Sequence, residues 1–165
     1  MIFFTSAYHR LNFVRLRENM DHLTTTATWV DNEWGYIRNK GLAFRKELFT
    51  NIADYIYVAM LGSQPVGMMI VTPYEFNSTL TGRTDKLPKM SELVCLYVEK
   101  EYRNMGFGRQ LIDEAKRIAS ASNTDFLVLD TLKTGLNSMY KKNGAEVVCE
   151  NHLYSHPTDV LTMKV

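Results

Sequence analysis

Proline and cysteine are scarce in this chain, with four prolines and two cysteines among 165 residues. Two cysteines, Cys95 and Cys149, each inside an apolar run, cannot make the disulfide framework of a small secreted scaffold. Charge of one sign is also lacking: 19 basic residues face 18 acidic ones, a net charge of +1. That excludes a global field able to recruit nucleic acid or an anionic membrane, so any anion site must be local. No apolar run is long enough to span a bilayer. The start, Met1 to Ala7, is apolar but too short for a secretion signal, and we expect it to form a first strand. A cytoplasmic setting is the default expectation. Neither repeats, low-complexity tracts nor a linker is present.

What is present is an ordinary globular composition, 45% hydrophobic and 22% charged, long enough for one core. We expect a single domain over residues 1–165. Residues 8–50 lack proline, and Phe13, Leu16, Met20 and Leu23 repeat at helical spacing; two helices are expected around a break at Trp29 to Gly35. Asp54 to Leu61, a turn at Gly62-Ser63-Gln64 and Pro65 to Phe76 read as a β-hairpin. Asn77 to Lys89 is polar and reads as a loop. Ser91 to Val98 reads as a strand, Gly106 to Ser122 as an amphipathic helix (Phe107, Leu111, Ile112, Ala115, Ile118, Ala119) and Asp125 to Leu132 as a strand. Leu136 to Asn143 reads as a short helix stopped by Asn143-Gly144. Ala145 to Glu150 and Asp159 to Val165 close the chain as strands. The order β, αα, βββ, α, β, α, ββ predicts an α/β fold, a central mixed sheet flanked by helices.

The most informative stretch is Leu96-Tyr97-Val98-Glu99-Lys100-Glu101-Tyr102-Arg103-Asn104-Met105-Gly106-Phe107-Gly108-Arg109, where a strand runs through a two-glycine loop into a helix. The first N–H groups of a helix have no internal partners and carry the positive end of its dipole. Glycine lets an anion approach the backbone, and Arg103 and Arg109 add donors, so the loop suits a pyrophosphate. A dinucleotide fingerprint needs a small residue where Leu111 stands. A P-loop needs a Gly-Lys-Ser/Thr sequence that is absent.

Arg103-Asn104-Met105-Gly106-Phe107-Gly108 resembles the Arg/Gln-x-x-Gly-x-Gly/Ala signature of the GCN5-related N-acetyltransferase (GNAT) family. Ser138-Met139-Tyr140-Lys141-Lys142-Asn143-Gly144-Ala145 looks like its second motif. The likeness runs from about Asp54 to the C-terminus. It implies a GNAT-like acyl-CoA N-acyltransferase fold and acetyl-CoA as co-substrate. It also implies that Leu96, Tyr97 and Val98 offer main-chain hydrogen bonds to the pantetheine arm and that Arg103 to Arg109 hold the pyrophosphate. Tyr140 then sits beside the thioester sulfur. Many members carry a cofactor-contacting Asn earlier in the last helix, where this chain has Lys133-Thr134-Gly135; Asn137 is the nearest Asn.

The reaction implied is direct attack of a neutral amine on the thioester in a ternary complex. The acceptor is a primary amine of a small molecule or a peptide. An alkyl ammonium has a pKa of about 10.4, so a general base helps. Glu92 is the candidate base, sharing a strand face with Val94, Leu96 and Val98 unless a bulge intervenes. Tyr140 is the candidate donor to the expelled thiolate. Trp29, Asp31, Glu33, Trp34 and Tyr36, with Tyr74, Glu75 and Phe76, are candidate contacts for a cationic acceptor, although core aromatics and exposed acids are the more ordinary reading of both groups. Cys95 lacks a neighbouring His and reads as a buried strand residue rather than a nucleophile. His152 and His156 have no further ligands, so no metal site is expected, and they read as a surface loop before Pro157. A non-catalytic acyl-CoA-binding module is the alternative function, and both monomer and homodimer remain open.

Overall fold

The computed structural model describes residues 9–74, 89–132 and 136–165. The expected first strand at Met1 to Ala7, most of the polar loop, Glu75, Phe76 and Lys133 to Gly135 lie outside them. The seven strands are β1 (Asn12–Arg15), β2 (Ile56–Leu61), β3 (Gln64–Tyr74), β4 (Met90–Val98), β5 (Phe126–Leu132), β6 (Ala145–Leu153) and β7 (His156–Lys164). Among the described residues four α-helices accompany them: α1 (Leu23–Arg38), α2 (Gly41–Asn51), α3 (Phe107–Ala121) and α4 (Asn137–Lys142). The strands form one mixed sheet in the order β1-β2-β3-β4-β5-β7-β6. Every pairing is antiparallel except β4 with β5. A parallel neighbour requires a crossover, and α3 supplies it.

Both faces of the sheet are covered, so its central strands are apolar almost throughout. On one face Leu111, Ile112 and Ala115 of α3 pack on Leu127, Leu129, Leu161 and Met163. On the other, Val30 of α1 and Phe49 of α2 pack on Ile56, Val58, Met68 and Ile70. The helical spacing read in α3 is its observed buried stripe, with Phe107, Leu111, Ile112, Ala115 and Ala119 all inside. Gly144 ends α4 with a left-handed φ of 93°.

The first fifty residues depart from expectation. Phe13 is a strand residue, paired with Ala59, and only two single turns of 3₁₀ helix, Leu16–Glu18 and Met20–His22, stand where a helix was read. Asn19 separates them, its Nδ2 donating to the Arg15 carbonyl at 3.1 Å. Such local side-chain bonding competes with helix. The expected break at Trp29 to Gly35 does not occur either; α1 runs through it, and the chain turns at Asn39, whose N–H closes on the Gly35 carbonyl at 2.8 Å with φ 53°. The aromatic cluster therefore lies within one helix. His152 and His156 also differ, lying in β6 and β7 on either side of a two-residue turn, Tyr154-Ser155, with φ 51° and 88°. Two positive φ values are the mark of a tight hairpin turn.

Gly67 lets β3 lie close against β4. A Cβ there would stand 2.5 Å from the Tyr97 carbonyl oxygen, a backbone atom with no freedom to retreat. Gly67→Ala is expected to destabilise the fold by about 1–3 kcal/mol, the usual cost of overpacking. A fall in the urea midpoint at unchanged slope checks this.

Candidate functional site

The site begins with a fault in β4. Met68 pairs with Tyr97 and Ile70 with Val94, so Met69 alone faces two residues, Cys95 and Leu96. Cys95 carries the extra residue with a left-handed φ of 53°. A bulge of this kind bends its strand and ends regular pairing. Accordingly β5 pairs with β4 only from Met90 to Glu92, against Phe126 to Val128. Beyond that the two strands part, and the main chain of β4 is left open towards β5.

The bulge also changes the faces of the strand. Val94 and Cys95 pack with the α1 side of the core, whereas Leu96 and Val98 pack with the α3 side. The single face expected for Glu92, Val94, Leu96 and Val98 is thus broken after Val94. Glu92 stays on the α1 side, level with Val128 and hence on the face that also carries Asp130.

Two cavities occupy the opening. The first, about 420 Å³, is walled by Leu96, Tyr97 and Val98 of β4, by Tyr102, Arg103 and Asn104, by Gly106 to Arg109 at the start of α3, and by Met139 and Asn143. Gly106 caps α3 in a left-handed conformation, φ 80°, with no side-chain cap, and Asn104 is also left-handed at 63°. Among the described residues the amides opening α3 have no side-chain acceptor, and they meet the cavity beside Arg103 and Arg109. Arg103 is fixed by Nε, which donates to the Val98 carbonyl at 2.8 Å, and its guanidinium lies 5.5 Å from the Tyr97 ring centre. The Phe107 side chain is core, so its contribution here is its backbone. Gly108 sits where a Cβ would be 3.3 Å from Met139 Sδ, so the loop and α4 come together over it.

The second cavity, about 470 Å³, lies between α1 and the parted strands. Its wall includes Glu33, Trp34, Tyr36, Glu92, Cys95, Asp130, Thr131, Tyr140 and Leu153. Glu33, Trp34, Leu96 and Leu136 line both cavities, which are two arms of one cleft. Burial raises the Glu92 carboxyl above the ordinary range, and the charge of Asp130 raises it further. Asp130 is itself raised by burial, against an opposing hydrogen bond from Asn151. Tyr140 is 5% exposed, and among the described residues its hydroxyl has no hydrogen-bond partner. Burial, with the nearby Cys95, pushes its phenol up to about 12. Cys95 is likewise pushed up to about 12 by burial, which keeps it a thiol and removes it as a nucleophile.

The structure thus gathers Glu92, Tyr140, Glu33, Trp34 and the loop residues, but not every candidate. Met105 is exposed and absent from the cavity walls. Asn137 is a brace: its Oδ1 accepts from Thr131 Oγ1 at 2.6 Å and its Nδ2 donates to Asp159 at 2.8 Å, so both ends of its amide are occupied, and it lines neither cavity. Trp29, 9% exposed, stacks on Tyr97 at 5.4 Å as core. Asp31 pairs with Arg45 at 3.4 Å. Tyr74 ends β3 outside both cavities. Asp130 was missed, although an acid inside the apolar run Phe126 to Leu132 is a visible signal, because acids are rarely buried without a reason.

Comparison with known proteins agrees with this geometry. Residues 53–144 match the family described as acetyltransferase (GNAT) domain. No curated protein sequence matches the chain. Among solved structures, one described as the NatC complex bound to Gag peptide and CoA is 13% identical, with 94% of this chain and 99% of that chain covered and a TM-score of 0.71. Ard1 from Thermoplasma volcanium is 16% identical, with coverage of 94% and 97% and a TM-score of 0.67. A GNAT family acetyltransferase from Elizabethkingia anophelis with acetyl-CoA bound is 19% identical, with coverage of 73% and 83% and a TM-score of 0.55. At these identities the likeness is one of fold.

The raised Glu92 carboxyl has a consequence for stability. Its folded form holds a proton more tightly than the unfolded chain does, so stability is fully present below the ordinary carboxylate pKa and is lost as pH rises through the raised value. Glu92→Gln removes that loss. Its melting temperature is expected to exceed the parent's at pH 7, and the gap to close on acidification below the ordinary Glu pKa of about 4.3. Paired thermal melts across that range check the sign.

Proposed function

The chain belongs to the GNAT acetyltransferase family, and from that premise we propose that it transfers the acetyl group of acetyl-CoA to a primary amine by direct attack in a ternary complex. The observation that carries the reading is the junction of the two arms. One arm presents main-chain donors and two arginines, as a pyrophosphate needs, and the other presents carboxylates, as an ammonium needs. The open edge of β4 at Leu96 to Val98, beside the shared wall, suits the pantetheine arm between them.

The residues then have distinct tasks. Arg103, Arg109 and the amides of Phe107, Gly108 and Arg109 hold the pyrophosphate. Glu92 takes one proton from the incoming ammonium, and its raised affinity for that proton makes it the better base. The nitrogen lone pair forms the new C–N bond at the acetyl carbon, and the C–S bond breaks. Tyr140, protonated because its phenol stands at about 12, donates a hydrogen bond to the departing sulfur. The thiolate takes up the second proton shed by the nitrogen, which leaves an amide, free thiol and one proton on Glu92 for release to water. Trp34 and Tyr36 offer ring faces to the cation before it is deprotonated.

Two variants divide binding from chemistry. Gly108→Val places methyl groups against Met139 and into the pyrophosphate arm, and is expected to abolish the rise in melting temperature that CoA gives the parent. Tyr140→Phe is expected to lower kcat by roughly 10²-fold with acetyl-CoA affinity nearly unchanged, because its bond matters as negative charge develops on sulfur. Thiol release in the presence of an amine panel reads the second effect. CoA binding without thiol release from any amine would instead favour a non-catalytic acyl-CoA-binding module.

A further inference from the structure

The acceptor arm holds more negative charge than the transfer of one acetyl group requires. Glu33, Glu92 and Asp130 all line it, and among its described lining residues there is no Lys, Arg or His. None of the three is in a salt bridge among the described residues. Glu92 and Asp130 lie on one face of the parted strands and each feels burial, with Glu92 also feeling its neighbour's charge. Asn151 donates a hydrogen bond to Asp130 but carries no charge, and carboxylates without a cation in a half-buried cleft are costly, a cost that falls when a cation enters. A second observation points to the same space. The Tyr140 side chain is 5% exposed and lines the arm, and its hydroxyl has no partner among the described residues.

A singly charged amine uses one carboxylate. It delivers its proton to Glu92 and becomes a neutral amide, which leaves Asp130, further along β5, with the uncharged Asn151 as a hydrogen-bond partner but no cation. From the cavity and its lining we propose that the acceptor carries a second cationic group, which Asp130 holds while the first nitrogen is acetylated. The reading rests on the acetyl transfer inferred above and names its substrate class: a diamine, or a peptide amine followed by a basic side chain. The two sources share one chemistry, an amine whose chain bears a second ammonium or guanidinium. The second cation keeps its charge throughout the reaction, so its contact with Asp130 persists from binding to product.

The test uses the CoA-bound protein and equilibrium binding, read by the fluorescence of Trp34 and Trp29, so that its result stands apart from turnover. Hexamethylenediamine is compared with hexylamine, and Ala-Lys amide with Ala-Leu amide; the pair with the wider gap identifies the source. The dication is expected to bind at least about tenfold tighter than its singly charged partner in one pair, the worth of one charge-assisted contact. In Asp130→Asn that ratio is expected to fall to about threefold or less. Aminohexanoate, whose far end is negative, is expected to bind more weakly than hexylamine. Equal affinities within both pairs in the parent protein overturn the proposal, as does a tenfold ratio that survives Asp130→Asn. Thiol release from hexylamine at a rate equal to that from the diamine would leave acetyl transfer standing and the dication preference refuted. Tight dication binding with no thiol release would refute acetyl transfer alone.

Discussion

Everything proposed for this protein depends on the failure of β4 to remain paired with β5. The extra residue at Cys95 faces Met69 across the sheet, and strand pairing with β5 stops at Glu92. A continuous sheet would have buried Leu96 to Val98 in hydrogen bonds to β5. The bulge instead leaves main-chain groups facing a cleft, and buried main-chain groups seek partners. Gly67 permits this, since only a residue without Cβ fits beside the Tyr97 carbonyl on the other side of the bulged segment. Trp29 and Arg103 then clamp Tyr97 from two directions, one by stacking and one from above the ring. The strained segment is over-determined by its neighbours, which is how such backbone persists.

The cleft so opened has two electrostatic ends. Towards α3 it meets amides and arginines; between α1 and β5 it meets carboxylates. Glu33 and the apolar residues Trp34, Leu96 and Leu136 form the waist between them. A polyanionic donor and a cationic acceptor would thus enter from opposite ends and meet at the waist. Long-range charge plays no part, since the chain's net charge is only +1; the polarity is local and built by strand geometry.

The second half of the chain was legible in its sequence because its elements are set by local pattern. The apolar stripe of α3, the glycines around it and the Asn143-Gly144 stop each act within one or two turns of backbone. The first fifty residues were less legible. Phe13 shows helical spacing with Leu16, Met20 and Leu23, yet its fate is decided by β2, more than forty residues away. Tertiary pairing overrode local period there. Trp29 to Gly35 looked like a break because of its aromatics and glycine, yet Gly35 sits inside α1 where the Asp31 carboxylate crowds the Cβ position. Glu92, Tyr140 and the loop, singled out from sequence, line the cleft, and the roles given to them are proposals. The hydrogen bonds of Asn137 to Thr131 and Asp159 were not legible, because those partners come from strands that sequence alone does not bring together. Asp130 was overlooked because its position on the Glu92 face follows from the parallel register of β4 and β5.

The central claim is that the bulged, open edge of β4 and the first turn of α3 bind the two ends of one ligand. Amide chemical shifts during a titration of the isotope-labelled protein with CoA test it directly. The account predicts that the largest changes fall on Leu96 to Val98 and on Gly106 to Arg109 together, with the same dissociation constant at both. Changes confined to the α3 turn, with Leu96 to Val98 unmoved at saturation, would contradict it.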